Sequence, residues 1–288
     1  MKILSIQSAV AHGHVGNSAA VFPLQRIGHE VLPVFTVQFS NHTGYGAWRG
    51  PVLSGHDVGE VVLGIEERGA MADIDLVLSG YQGSPEIAAV ILDAVARVKR
   101  ANPAARYACD PVMGNAVSGC FVDPAIPPLI RDRVVPAADL ITPNQFELGE
   151  LTGLRGLTGG RRPTLTALLQ AVDAARALGP ATVLVTSVGV EDQPEDTIGL
   201  LAVDADGAWI VRTPRLAMKA NGSGDVTAAL FAAHHATTGP ADALARTVSS
   251  VFDLLSNTLE AGARELRLVE SQDVYAHPRL QFAVEQVR

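Results

Sequence analysis

The run Asn221-Gly222-Ser223-Gly224-Asp225 leads directly into an apolar helical stretch, Val226 to Ala233. Glycines at 222 and 224 let the backbone curl closely around a ligand, and the amides that open the helix point outward with the positive end of its dipole behind them. Such a turn binds an anion, and a phosphoryl group in transfer carries its charge on its equatorial oxygens. Asp225, beside that turn, is the residue type that accepts the proton of an attacking hydroxyl. Asp also caps helices routinely, so this segment alone leaves a base and a cap both open.

Other loops carry compatible chemistry. In Thr142-Pro143-Asn144-Gln145-Phe146-Glu147, the side chains of Asn144 and Glu147 project from one face of a first helical turn. Oxygen ligands so placed suit Mg²⁺, which keeps several waters and reaches carboxylates and phosphates together. An Asn cap with a returning Glu, a capping box, explains the same spacing. In Cys109-Asp110-Pro111-Val112-Met113-Gly114 a strand ends in an acid, where Asp110 is placed to hold a metal or a metal-bound phosphate. Ordinary Asp-Pro turn chemistry accounts for it almost as well.

Gln7-Ser8 closes the first strand and opens a Gly/His loop through His12, Gly13, His14 and Gly16. Its glycine spacing does not make a dinucleotide fingerprint, and the sequence contains no Gly-x-x-x-x-Gly-Lys-Ser/Thr phosphate loop. His12 and His14 read as solvated loop residues rather than metal ligands.

The elements that must position these loops alternate between short β-rich runs and longer segments of helical period, the pattern of an α/β sheet covered on both faces. Strands are expected over 2–7, 30–37, 75–79, 106–110, 139–142 and 182–186. Helices are expected over 17–27, 56–68, 85–100, 144–152 and 164–178. The last third differs: 197–204 and 208–213 flank an Asp-Ala-Asp-Gly turn and read as an antiparallel hairpin, followed by helices over 225–238 and 241–261. The Pro/Gly clusters at 153–163 and 190–196 are loop-sized, so one domain over residues 1–288 is the economical reading. In an open sheet of this kind ligands bind beyond the carboxyl ends of the strands, where all the loops above lie.

Composition narrows the function classes. With 288 residues, 48% of them apolar and 18% charged, the chain has the balance of a globular enzyme. A net charge of −8 with no Lys/Arg run argues against nucleic acid as a partner. Cys109 and Cys120 are too few for a disulfide framework and lack zinc-site spacing, which favours a reducing compartment. No apolar window reaches the ~18 residues of a membrane span, and the first residues are too short and polar for a signal peptide, so a soluble, unprocessed protein with no membrane partner is expected.

Along nearly its whole length the chain resembles the pyridoxal kinases of the ribokinase-like superfamily. The stretches that carry the resemblance are 5–8, 16–20, 36–46, 78–81, 109–114, 142–147 and 222–225. Gly-x-Gly-Asp and Asn-x-x-Glu are shared with sugar and pyrimidine kinases, whereas Val37-Gln-Phe-Ser-Asn-His-Thr43 looks specific to pyridoxal kinases. The resemblance implies a ribokinase-like domain, cytoplasmic and dimeric, that uses ATP and Mg²⁺ to phosphorylate the 5′-hydroxymethyl group of pyridoxal, with a monovalent-cation requirement left open.

Carried over residue by residue, the resemblance gives Ser8, His42, Thr43, Gly44 and Tyr81 to the ring pocket. It gives Asp110, Thr142, Asn144, Glu147, Thr186, Thr213, Pro214, Arg215 and Leu216 to ATP and its metal, with Asp110 and Glu147 as the metal residues. Asp225 is the base, flanked by the Gly222 and Gly224 amides. Thr186 departs from relatives that carry Lys, and Ser223 from those with Thr or Val. Cys120 raises a separate expectation: a reversible hemithioacetal with the pyridoxal aldehyde, provided its thiol is exposed and its pKa lowered. Competing readings are a hydroxymethylpyrimidine kinase and a non-catalytic carrier of the vitamin.

Overall fold

Strand β1 (Lys2–His12) sends Leu4 and Ile6 into one apolar layer and Ile3 into another, the period of two expected for a strand buried on both faces. The structure, a computed structural model, describes residues 1–158, 162–218 and 220–288. Of the Gly/Pro cluster at 153–163, residues 159–161 lie outside the described residues.

After β1 come α1 (Asn17–Arg26), β2 (Glu30–Asn41), α2 (Gly55–Glu67), β3 (Leu76–Ser79), α3 (Pro85–Ala101) and β4 (Arg106–Cys109). A two-stranded ribbon, β5 (Gly114–Asn115) and β6 (Gly119–Cys120), precedes a helical segment of α4 (Ile126–Leu129), a π turn and α5 (Val135–Ala137). Then follow β7 (Leu140–Ile141), α6 (Gln145–Thr152), α7 (Leu165–Arg176), β8 (Thr182–Val188), β9 (Thr197–Val203) and β10 (Ala208–Pro214). The chain ends with α8 (Ser223–Thr238), α9 (Pro240–Glu260), α10 (Gln272–Ala276) and β11 (Glu285–Gln286).

Among the described residues the main sheet has nine strands in the order β2-β1-β3-β4-β7-β8-β9-β10-β11. Pairing is parallel from β2 to β8 and antiparallel from β8 to β11. This is the expected α/β, ribokinase-like plan: a mostly parallel sheet with a C-terminal antiparallel hairpin. One face packs α2, α3, α6 and α7 through residues such as Val62, Ile91, Leu148 and Val172. The other packs α1, α8 and α9 through Leu24, Phe231 and Leu244. Chain order reverses at β1, which sits between β2 and β3, so a crevice opens at the carboxyl ends of β1 and β3.

Several elements differ from expectation. β1 and β2 continue to His12 and Asn41 instead of ending at Gln7 and Val37, because their polar ends keep main-chain partners. Residues 49–53 add to the β2 edge: Gln38 N–H donates to the Pro51 carbonyl at 3.0 Å and Ser40 N–H to Arg49 at 2.7 Å. Residues 126–137 are helical although Pro127, Pro128 and Pro136 obscure the period, and each proline stands at or near a helical first turn, where its missing N–H costs nothing. β11 pairs with β10 through Trp209 and Gln286, two residues long and without a readable pattern.

Candidate active site

Helix α8 is buried without interruption from Val226 to Ala233, so it is apolar on every side and can only be a central helix. Its N-cap, Gly222, has φ +85°, and a Cβ there would lie 1.8 Å from the His14 carbonyl oxygen. Glycine therefore both supplies the left-handed turn and lets the 12–16 loop pass against the helix start. Around Gly224, by contrast, a Cβ would meet nothing within 4 Å, so α8 starts beside open space. The first amides of a helix have no intrahelical acceptors, and the helix dipole adds to them.

Asp225 lies at this opening, half-buried, where burial raises its pKa to about 6 although the backbone N–H groups of Gly16 and of Asp225 itself favour the charged form. A carboxylate at that value is charged near neutrality yet basic enough to accept a proton, as a general base requires. Asp225 is not the helix cap, a place taken by Gly222.

Asp110 and Glu147 form a second acidic group within electrostatic reach of the first. Both are buried. Glu147 Oε1 accepts from the N–H groups of Met113 at 2.9 Å and Gly114 at 3.2 Å, and Oε2 from that of Asn144 at 2.9 Å. Asn144 Oδ1 accepts in turn from Glu147 N–H at 2.9 Å, and its Nδ2 donates to the Gly114 carbonyl at 2.8 Å. The capping box is thus present, and it also anchors the turn that carries Asp110. The Thr142 hydroxyl donates to Asp110 Oδ1 at 2.9 Å.

Burial raises Glu147 to about 7 despite three backbone donors, with the Asp225 charge adding to the rise. Burial likewise lifts Asp110 well above the usual carboxylate range, followed by the charges of Glu147 and Asp225, while Thr142 opposes the shift. Asp225 raises both Glu147 and Asp110, and Glu147 raises Asp110, so the site is short of positive charge. Among the described residues no group of three or more His, Cys, Asp or Glu side chains makes a complete metal cage. One or two carboxylates completed by phosphate oxygens and water is the donor set Mg²⁺ favours, so these residues fit that ion.

Thr186, Thr213, Pro214, Arg215 and Leu216, distant in sequence, line one cavity of about 230 Å³ that reaches Ser223 and Gly224 at the start of α8. The Thr186 N–H donates to the Pro143 carbonyl at 3.0 Å, which joins this cavity to the Asp110–Glu147 group. The sequence reading missed its apolar walls: Ile198 and Leu200 from β9, and Val248, Val251, Phe252 and Leu255 from α9. It also missed Ser187, whose φ of 56° falls in a register shift between β8 and β9 and which lines the same cavity. A bulge re-aims side chains at a strand end, but a Thr-Ser-Val run gives no sign of one.

The expected ring-pocket residues sit at the carboxyl ends of adjacent strands. Ser8 is buried against Gly16, opposite a register shift between β1 and β2. Tyr81 follows β3, packs with Val10, Val15, Val37 and Phe39, and has its hydroxyl pKa raised by burial. His42 caps the 3₁₀ turn Thr43–Tyr45 by accepting from Gly44 N–H at 3.0 Å. Cys120 is exposed on the β5–β6 ribbon, but burial of its sulfur and the charges of Glu150 and Glu147 raise its thiol pKa. The lowered pKa on which the hemithioacetal expectation depended is not found. Burial of the sulfur is the main reason, and the nearby acids add to it.

With this geometry in view, the likeness to known proteins is specific. The phosphomethylpyrimidine kinase family profile matches residues 72–267. A pyridoxal kinase PdxY of Leifsonia xyli subsp. xyli is 71% identical over 288 residues, all of both chains, and one of Corynebacterium diphtheriae is 61% identical over the same full span. A solved pyridoxal kinase of Leishmania donovani, in complex with ADP and pyridoxine, superposes with a TM-score of 0.90 at 28% identity, covering 100% of this chain and 99% of that one. Whole-chain identity favours the pyridoxal name over the pyrimidine one, and the chain belongs to the pyridoxal kinase family.

Proposed function

We propose that the protein is an ATP-dependent pyridoxal kinase that transfers the γ-phosphoryl group of ATP to the 5′-hydroxymethyl group of pyridoxal, giving pyridoxal 5′-phosphate. The observation that carries this reading is the placement of Asp225 between two spaces. On one side lies the cavity that ends at Gly224. On the other lies the crevice beyond β1 and β3, with Ser8 and Tyr81. A base for alcohol phosphorylation must reach the acceptor hydroxyl where that hydroxyl meets the terminal phosphate, and this position allows it.

In this reading the apolar walls of the cavity receive the adenine, with Thr186, Thr213, Pro214, Arg215 and Leu216 at its rim. Asp110, backed by Glu147, is placed to hold Mg²⁺, which when bound neutralises phosphate charge. The Gly222 to Gly224 turn sets its amides toward the migrating phosphoryl group, where donors already in place stabilise the developing charge without reorganising. Ser8, His42, Thr43, Gly44 and Tyr81 orient the pyridine ring in the crevice, and Asp225 takes the hydroxymethyl proton. Asn144 and Thr142 fix the two acids. Residues 1–288 act as one domain, a homodimer of the reducing cytoplasm.

Incubation of purified protein with ATP, Mg²⁺ and pyridoxal, followed by chromatography for the phosphorylated aldehyde, tests the reading. Turnover of hydroxymethylpyrimidine in preference to pyridoxal, or vitamin binding with no ATP consumption, would replace it with one of its competitors. Sedimentation of the same sample tests the dimer.

A further inference from the structure

Glu265 belongs to no part of the machinery above, yet its two carboxylate oxygens are divided between two loops that do. Oε2 accepts from the backbone N–H of His14 at 3.2 Å, and Oε1 accepts from the Tyr45 hydroxyl. The Arg264 guanidinium lies 3.8 Å from the Tyr45 ring centroid, and the His12 ring meets the same ring edge-on at 6.2 Å. Gly13, at φ +89°, makes this approach possible, since a Cβ there would lie 2.3 Å from Glu265 Oε2. These groups surround a cavity of about 530 Å³ that also touches Arg267 and Glu270.

Each loop continues into the active site. The His14 carbonyl lies against Gly222, and further along the same loop the Gly16 N–H favours the charged form of Asp225. Tyr45 ends the 3₁₀ turn whose cap is His42 and whose first residue is Thr43. One carboxylate therefore ties the turn bearing the ring-pocket residues to the loop that aligns the base. A hydrogen bond to a charged acceptor is stronger than one between neutral groups, which suits it to holding a short loop in one arrangement.

We propose that Glu265 is a positioning residue for phosphoryl transfer, clamping the His42–Tyr45 turn over the ring pocket through Tyr45 and holding the His14–Gly16 loop in register with Asp225. The proposal rests on the pyridoxal kinase reading and adds to it a coupling between ring closure and base alignment. It makes Tyr45 and Glu265 matter for the vitamin and not for the nucleotide, whose cavity lies at the far side of α8.

The test compares Glu265→Ala, Glu265→Gln, Tyr45→Phe and the Tyr45→Phe/Glu265→Ala double variant in steady-state kinetics with each substrate varied, with ATP-free titration of pyridoxal and of ADP. Glu265→Ala is expected to raise the pyridoxal KM about tenfold and lower kcat, with the ATP KM within about twofold of wild type. Tyr45→Phe should reproduce the rise in KM but keep most of kcat, and the double variant should be no worse than Glu265→Ala. Gln, with one acceptor for His14 and one amide for the Tyr45 oxygen, should restore much of both constants. Equal losses toward both substrates, additive effects in the double variant, or a Tyr45→Phe enzyme with wild-type pyridoxal KM would overturn the clamp. Should Glu265→Ala fail to fold, Tyr45→Phe and Glu265→Gln decide the question by the same criteria. A wild-type protein inactive on pyridoxal refutes the function itself, whereas an active wild type with an unaltered Glu265→Ala refutes only the clamp.

Discussion

The backbone N–H of Gly16 acts on the carboxylate of Asp225 and favours its charged form, linking the loop after the first strand to the first turn of a helix near the end of the chain. Burial keeps the pKa at about 6 in spite of it, so near neutral pH the group is ionised and can still accept a proton.

Replacement of Asp225 by Asn should preserve the Gly16 bond and remove the base. The expected loss in kcat is about 10²–10⁴-fold with little change in either KM, measured by steady-state assay. In the wild type, kcat should fall as pH drops through about 6, because protonation of Asp225 removes the active form. A variant with wild-type turnover, or a flat profile below pH 6, contradicts the assignment.

The buried acids predict an opposite trend for stability. Glu147 is raised to about 7 and Asp110 in the same direction, so the folded state binds more protons than the unfolded chain. Their contribution is full below the ordinary carboxylate value and is lost as pH rises through the folded one. His29, His234 and His235 are lowered by burial and act the other way, but only below about 6.5. Between pH 6.5 and 8, therefore, Tm of nucleotide-free protein should fall, and Mg²⁺ with ADP should restore it. Asp110→Asn keeps the acceptor for Thr142 and removes a charge. It should raise Tm at pH 8 by about 2–4 °C while weakening metal-nucleotide binding. A destabilised Asp110→Asn protein with intact activity would argue against this account.

Two glycines on either side of Ser223 should respond differently to the same methyl group. Gly222→Ala forces a Cβ onto the His14 carbonyl in a left-handed turn, for an expected loss of more than about 1–3 kcal/mol in denaturant unfolding. At Gly224 the methyl meets no protein atom within 4 Å, so the fold should hold while the space for the phosphoryl group shrinks. The Gly224→Ala enzyme should show wild-type Tm with reduced kcat/KM for ATP.

Which of these features could be read from the residues depends on their range. The parallel strands and most helices announce themselves through local period, and Asn144 with Glu147 through the three-residue spacing of a capping box. Whether that box did anything further was open, because the contacts of Glu147 with Met113 and Gly114 are tertiary. The rim of the cavity proposed for the nucleotide was marked by resemblance at 213–216, but its walls on α9 are apolar residues of an amphipathic helix, the same in sequence whether they face a core or a ligand. Cys120 shows the converse: its position was legible, but the sign of its pKa shift depends on burial of the sulfur and then on Glu150 and Glu147, all set only by folding.

Those α9 walls give the most selective test of where the nucleotide lies. Val251 is partly buried at the edge of the cavity, beside Phe252, which stacks edge-on with Phe282 at 4.9 Å. Val251 lines the hollow while also packing against the cluster that holds Val226, Leu230 and Leu254, so the hollow is the free space open to the added volume of an indole at position 251. Val251→Trp should then occupy the space of the purine: the ATP KM is expected to rise about tenfold or more, with pyridoxal KM and Tm nearly unchanged. Titration with ADP, followed by the new tryptophan's fluorescence, would report the same loss without turnover. A Val251→Trp enzyme that binds ADP normally but loses pyridoxal affinity would require the two substrates to exchange places across Asp225, with the phosphoryl acceptor in the cavity and the nucleotide in the crevice beyond β1 and β3.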